Sequence, residues 1–295
     1  MRLVSYRSDD AWRVGAVLGE AVYDVDAALI GSGRPGLGPQ ATTRRLLRAY
    51  GHALDDVAAA VRHAAAELPA ARAGTVRDLP LGPPVTDPEK VLCIGLNYHD
   101  HVAETGRALP AHPDVFAKFA STLIGPHDEI RCTEVTDNLD FEGELAVVIG
   151  RTGRDVPPQA ALDLVAGVMV LNDITARDLQ YHGTQWLAGK AVDGSTPCGP
   201  ALVTLDEVGD PQNLELATRV NGVRVQGSNT KHMIFSIADL ISYVSRFLAL
   251  SPGDIISTGT PEGIGSKRNP PVWLGPGDTV EVEIERVGTL RNVVR

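Results

Sequence analysis

The sequence predicts a mixed α+β fold, rich in strands, in which a small α/β unit precedes a larger β unit. Three observations carry this. Short apolar runs bounded by Gly, Pro and Asn recur along the chain; the stretch Thr42 to Ala73 is alanine-rich; and Leu79-Pro80-Leu81-Gly82-Pro83-Pro84 has the composition of a rigid linker. That linker divides an N-terminal domain, residues 1–80, from a second domain, residues 81–295.

Leu3 to Tyr6, Trp12 to Leu18 and Ala21 to Val25 read as short strands, with Gly19-Glu20 at a hairpin turn. The Gly- and Pro-rich stretch Gly31 to Pro39 separates them from the alanine-rich segment, which predicts one or two helices. Beyond the linker, Val91 to Gly95, Glu144 to Gly150 and Ala166 to Leu171 are apolar strands. Asn221-Gly222 among β-branched residues marks a type I′ hairpin. Met233 to Leu250 carries a helical apolar stripe through Ile234, Ile237, Leu240, Ile241, Val244 and Leu248. Val280, Val282 and Ile284 alternate with glutamates as a half-exposed strand, and Gly288 turns the chain into Leu290 to Val294.

Charge excludes whole classes of partner. The net charge of −10 repels phosphate backbones and anionic lipid, and 3 Trp, 6 Tyr and 5 Phe leave few platforms for stacking bases. The longest apolar run, Leu164 to Leu171, includes Gly167 and is too short to span a bilayer, and Met1-Arg2-Leu3-Val4 has no secretory pattern. Cys93, Cys132 and Cys198 lie far apart, which suits neither a disulfide framework nor a zinc cluster. The expectation is a cytoplasmic protein acting on a small molecule.

The most informative segment is Asp140-Phe141-Glu142-Gly143-Glu144. Glu142 and Glu144 share one face of a strand. Such a pair is ordinarily a solvated face, but here the same parity continues through Ala146 and Val148, so the carboxylates sit at the mouth of a core. A third, Asp173, ends the apolar run through Leu171 and Asn172. Three converging carboxylates without Cys or His partners suit a hard divalent ion, Mg²⁺ or Mn²⁺, with Ca²⁺ next.

Elsewhere, His101 and Glu104 lie three apart in a segment that follows a strand, so a helix would let the carboxylate orient the imidazole as a general base. Arg177, Gln180 and Lys190 are candidates to hold an anion; an exposed cation is the ordinary alternative. Ser257 to Gly265, with three glycines, reads either as a plain loop or as a backbone cradle for an anion, and matches neither a P-loop nor a dinucleotide fingerprint.

Taken in order, Gly95-Leu96-Asn97-Tyr98 through His101 and Glu104, Asp140 to Glu144, Asn172 to Asp178, Gly189-Lys190 and Thr258-Gly259-Thr260-Pro261-Glu262-Gly263 resemble the fumarylacetoacetate hydrolase superfamily over about residues 88 to 294. The resemblance implies that superfamily's mixed β-sandwich roll and a homodimer. It makes Glu142, Glu144 and Asp173 the Mg²⁺ or Mn²⁺ ligands, and His101 with Glu104 the water-activating lid pair. Lys190 becomes the active-site lysine. Arg177, Gln180 and Thr260 hold substrate oxygens, and Lys118 stands near the site. Ala191 to Thr196 departs from the run found in many acylpyruvate-hydrolysing members.

The implied reaction is metal-dependent cleavage of the C–C bond of a 2,4-dioxo acid such as an acylpyruvate or fumarylpyruvate, giving pyruvate and a carboxylic acid. Oxaloacetate decarboxylation and 2-hydroxyhepta-2,4-diene-1,7-dioate isomerisation are alternatives on the same site. A further one is a non-catalytic β protein holding structural Ca²⁺.

Overall fold

A computed structural model describes residues 1–295. Its centre is a twelve-stranded sheet. The main path runs Arg72–Thr75, Ala21–Asp24, Ala11–Leu18, Arg2–Ser8, Thr196–Val203, Val165–Asn172, Gly143–Ile149, Ile255–Ser257, Val91–Gly95 and Asp114–Lys118. Arg2–Ser8 pairs antiparallel with Thr196–Val203, so the N-terminal strands extend the sheet that holds the central ones. Ile255–Ser257 runs parallel to Val91–Gly95.

The central strands read as continuous apolar runs because both their faces are covered. Leu145, Val147 and Ile149 point into one core, shared with Ile237, Leu240, Ile241 and Val244 and with the four-stranded sheet that carries Leu216, Val282 and Leu290. Ala146 and Val148 point into the other core, where Leu46, Leu47, Val57 and Val61 pack from the N-terminal helices. The alanine-rich stretch forms two helices, Thr43–Tyr50 and Leu54–Glu67. No helix is long and apolar enough to cross a membrane.

Asn221 and Gly222 both have positive φ, as the expected hairpin requires, between strands Glu215–Val220 and Val223–Asn229. Two expectations need correction. Val25 does not end the third strand but opens a helix, Val25–Gly31, capped by the Asp24 carboxylate, which accepts from Ala27 N at 2.8 Å. The stripe from Met233 to Leu250 is helical only over Ile237–Ser245. Ser236 and Asp239 form a capping box that starts the helix there. Before it, Asn97 holds the chain extended: its carbonyls accept from Ile234 N at 2.8 Å and Phe235 N at 2.9 Å. Past it, Leu250 exchanges backbone bonds with Gly153 instead of continuing the helix.

Candidate active site

The carboxylates meet because of strand register. Gly143 lies opposite Asn172 in the antiparallel ladder, which places Glu142 opposite Asp173 just past the strand ends; Asp173 N donates to Glu142 O at 2.8 Å. Glu144 is one step inside the strand on the same side as Glu142. Ligand oxygens of Glu142, Glu144 and Asp173 all lie within 4.8 Å of one another, and all three residues are buried.

Cations surround them unevenly. Lys190 Nζ donates to Glu142 Oε2 at 2.6 Å and to Asp173 Oδ2 at 2.7 Å. Lys118 Nζ reaches Asp173 Oδ1 at 2.7 Å and Ile174 O at 3.1 Å. Arg177 spans Asp140 Oδ2 at 2.8 Å, Glu142 Oε1 at 2.5 Å and Gln180 Oε1 at 3.0 Å. Glu144 has no cation: it accepts from Ser257 Oγ at 2.5 Å and Gly259 N at 2.9 Å. Thus Asp140, Glu142, Glu144 and Asp173 are set against Lys118, Arg177 and Lys190, one buried positive charge short.

The titration behaviour follows from this layout. Burial, followed by the neighbouring Asp173 and Glu142 charges, pushes Glu144 up to about 8. Glu142 suffers the same burial, but Lys190 and Arg177 more than offset it and hold it down at about 2. Lys190 is also penalised by burial, yet Asp173 and Glu142 lift it above the ordinary lysine value, so it stays charged. A buried, all-oxygen donor set with one carboxylate lacking a counter-cation fits a hard divalent ion. Because Glu144 is protonated at neutral pH before an ion arrives, Mn²⁺ binding near pH 7 is expected to release close to one proton from it. Affinity should rise with pH until about 8 and then level off. Calorimetry in buffers of differing ionisation enthalpy measures the release; none at pH 7 would mean that Glu144 is already ionised there or is not a ligand.

The expected helix after Gly95 forms over His99–Thr105 and brings His101 Nδ1 to 2.7 Å from Glu104 Oε1. Donation of Nδ1–H to that carboxylate leaves the lone pair on Nε2, the tautomer a general base needs. Glu104 Oε2 in turn accepts from Gly263 N at 2.9 Å, which latches the helix to the Ser257 to Gly265 loop. This resolves the role of that loop. Its N–H groups do not form an open anion cradle, since Gly259 N and Gly263 N are taken by Glu144 and Glu104, and Gly265 N by Asp140. Gly259 has φ +100°, and a Cβ there would lie 2.7 Å from Asn97 Cβ, so glycine alone presents that N–H to Glu144.

Lys190 ends a short helix, Leu187–Lys190, rather than lying in an open loop. Gly189 permits this, because a Cβ there would sit 2.4 Å from Ala176 O. A cavity of about 250 Å³ is lined by His101, Glu142, Glu144, Arg177, Gln180, Lys190 and Thr260, among others. Glu104, Asp173 and Lys118 do not line it: Glu104 holds His101 from behind, Asp173 holds Lys190, and Lys118 Nζ donates to Asp173. Thr260 Oγ1 donates to Gly143 O at 3.0 Å and accepts from Gln226 Nε2 at 2.8 Å.

Two functional residues escape sequence reasoning. Gln226 ties the carboxylate strand to the loop, accepting from Gly143 N at 3.0 Å while donating to Thr260 and Pro261. Nothing marks it, since it lies in a strand legible only as half a hairpin. Asp140 anchors Arg177, Gly265 N and Ser266 N; the sequence places it in the carboxylate-rich run Asp140 to Glu144 but gives it no role.

A carboxylate cluster at the end of a central strand, with Glu142 and Glu144 lining one cavity with His101, is an arrangement suited to catalysis. Residues 90–295 match the family described as fumarylacetoacetate (FAA) hydrolase C-terminal, and the chain belongs to that family. It is 47% identical over 236 residues to the oxaloacetate tautomerase Fahd2a, mitochondrial, of Rattus norvegicus, covering 77% of this chain and 75% of that one. It is 46% identical over 236 residues to a 2,4-didehydro-3-deoxy-L-rhamnonate hydrolase of Sphingomonas sp. (strain SKA58), covering 77% and 83%. The crystal structure of maleylpyruvate hydrolase from Sphingobium sp. SYK-6, in complex with manganese (II) ion and pyruvate, superposes with a TM-score of 0.79 at 30% identity, over 100% of this chain and 98% of that one. The chain is therefore an enzyme of the fumarylacetoacetate hydrolase superfamily with that superfamily's strand-rich fold.

Proposed function

We propose that this enzyme hydrolyses the C3–C4 bond of a 2,4-dioxo acid, releasing pyruvate and a carboxylic acid. The observation that carries the reading is His101, hydrogen-bonded to Glu104 at 2.7 Å and lining the same cavity as Glu142 and Glu144. Glu142, Glu144 and Asp173 would hold Mg²⁺ or Mn²⁺, which supplies Lewis-acid stabilisation of the 2-oxo acid end and of negative charge developing there.

The chain's own residues do the rest. His101 Nε2 takes a proton from the water that attacks the C4 carbonyl, with Glu104 holding the ring. Lys190, kept charged, has N–H bonds committed to Glu142 and Asp173 and its ammonium 5.1 Å from the Phe116 ring centroid. It acts as a fixed positive charge for the developing oxyanion, not as a base. Arg177 and Gln180 orient the substrate carboxylate, Arg177 through the N–H donors that Asp140, Glu142 and Gln180 leave over.

A second reading is keto–enol interconversion of oxaloacetate. Its support is the naming of the rat relative, and it needs the same stabilised enolate with His101 moving a proton rather than activating water. With Mn²⁺ present, acetylpyruvate, fumarylpyruvate and enol-oxaloacetate are followed for enol absorbance and for pyruvate. Pyruvate from either dioxo acid supports hydrolysis. Loss of oxaloacetate enol absorbance without pyruvate from any of the three would replace it with tautomerisation.

A further inference from the structure

We propose that Arg107 and Lys267 form a second anion subsite at the cavity mouth, selecting 2-oxo acids that carry another carboxylate at their far end. This rests on the 2-oxo acid reading and narrows the substrate class to dianions. The buried cluster under the cavity has four carboxylates and three cations, of which Glu142, Glu144, Arg177 and Lys190 line it. A divalent ion brings that cluster to one positive charge, which the single C1 carboxylate of a 2-oxo acid neutralises. A second carboxylate on the substrate needs its own cation farther out.

Arg107 and Lys267 are placed for this. Both line the cavity, both are exposed, and neither is held by a carboxylate of the protein, unlike Arg177 and Lys190. In a chain of net charge −10, two unpaired cations facing one cavity are the exception. They also hang on anchored segments. The Arg107 guanidinium lies 5.5 Å from the Trp186 ring centroid, and Trp186 meets Phe116 edge-on at 5.6 Å. Lys267 ends the turn Gly265–Lys267, whose Gly265 and Ser266 N–H groups are bound to Asp140.

Arg107 follows Gly106, the left-handed cap of the helix that carries His101 and Glu104. A distal carboxylate drawing on Arg107 would therefore also settle that helix over the substrate, coupling chain-end recognition to placement of His101.

The test uses two inert ligands matched in length, 2-oxoglutarate and 2-oxopentanoate, titrated calorimetrically into Mn²⁺-loaded protein at low and at physiological salt. Wild type should bind the dianion about tenfold or more tighter at low salt, with the ratio shrinking as salt screens the exposed cations. The double variant Arg107→Gln, Lys267→Gln should bring the ratio to about one, with its Mn²⁺ titration reporting an intact acidic cluster. A ratio near one in wild type, or one unchanged in the double variant, overturns the subsite while leaving the 2-oxo acid reading standing. Binding of neither ligand overturns that reading, and the subsite with it.

Discussion

Replacing His101 by alanine is expected to lower kcat for acetylpyruvate by about 10²–10⁴-fold with little change in KM or in Mn²⁺ affinity. His101 touches neither Lys190 nor any of the three acidic residues through a hydrogen bond; its ring bond is to Glu104. The substitution therefore removes proton transfer and leaves the hydrogen bonds of the cluster in place. Glu104→Gln should fall between wild type and His101→Ala, because it loses the ring's orienting charge and weakens the latch to Gly263 N. Steady-state kinetics against pyruvate release checks both. A loss below about tenfold in His101→Ala would assign water activation to another group.

Much of this site is legible in the chain because its chemistry is local. The Glu142 and Glu144 parity, and its continuation into Ala146 and Val148, follows from the two-residue period of a strand. The His101–Glu104 contact follows from helical spacing. What was not legible depends on partners distant in sequence. The sequence marks Asp173 as a third carboxylate at a strand end, but its meeting with Glu142 follows from the register of a ladder across about thirty residues, which periodicity does not give. The Ser257 to Gly265 loop has the glycines of an anion cradle, but its anions are the protein's own Glu144, Glu104 and Asp140, brought from three separate segments. The over-long helix from Met233 shows the same limit: its stripe is real, but Asn97, more than a hundred residues earlier, claims the backbone of Ile234 and Phe235.

The buried charges of the site are tied to one another within the protein itself. Each of the three cations is shared: Arg177 between Asp140 and Glu142, Lys190 between Glu142 and Asp173, Lys118 between Asp173 and a backbone carbonyl. Such a chain of shared bonds ties the side chains to one another, because removing any member costs its neighbours a bond, and strands a charge where the neighbour has no second partner.

That sharing decides which ligand substitution is informative. Glu142→Gln is expected to abolish the thermal stabilisation conferred by Mg²⁺ or Mn²⁺. Wild type at about 100 times Kd should gain about 2.7 kcal/mol, a rise of several degrees in Tm, while the variant should gain under about one degree at the same concentration. The amide keeps the shape of the side chain. Arg177 retains Asp140, and Lys190 retains Asp173, so neither cation is stranded in the interior. Asp173→Asn would be a poorer choice, because Lys118 has no other carboxylate and Lys190 would depend on Glu142 alone. Comparing Tm with ion against Tm with chelator separates the two effects of Glu142→Gln. A lower Tm in chelator alone reports the lost contacts to Arg177 and Lys190, whereas the ion-dependent increment reports ligation. Full retention of that increment would remove Glu142 from the metal site and leave its carboxylate as a structural partner of Arg177 and Lys190.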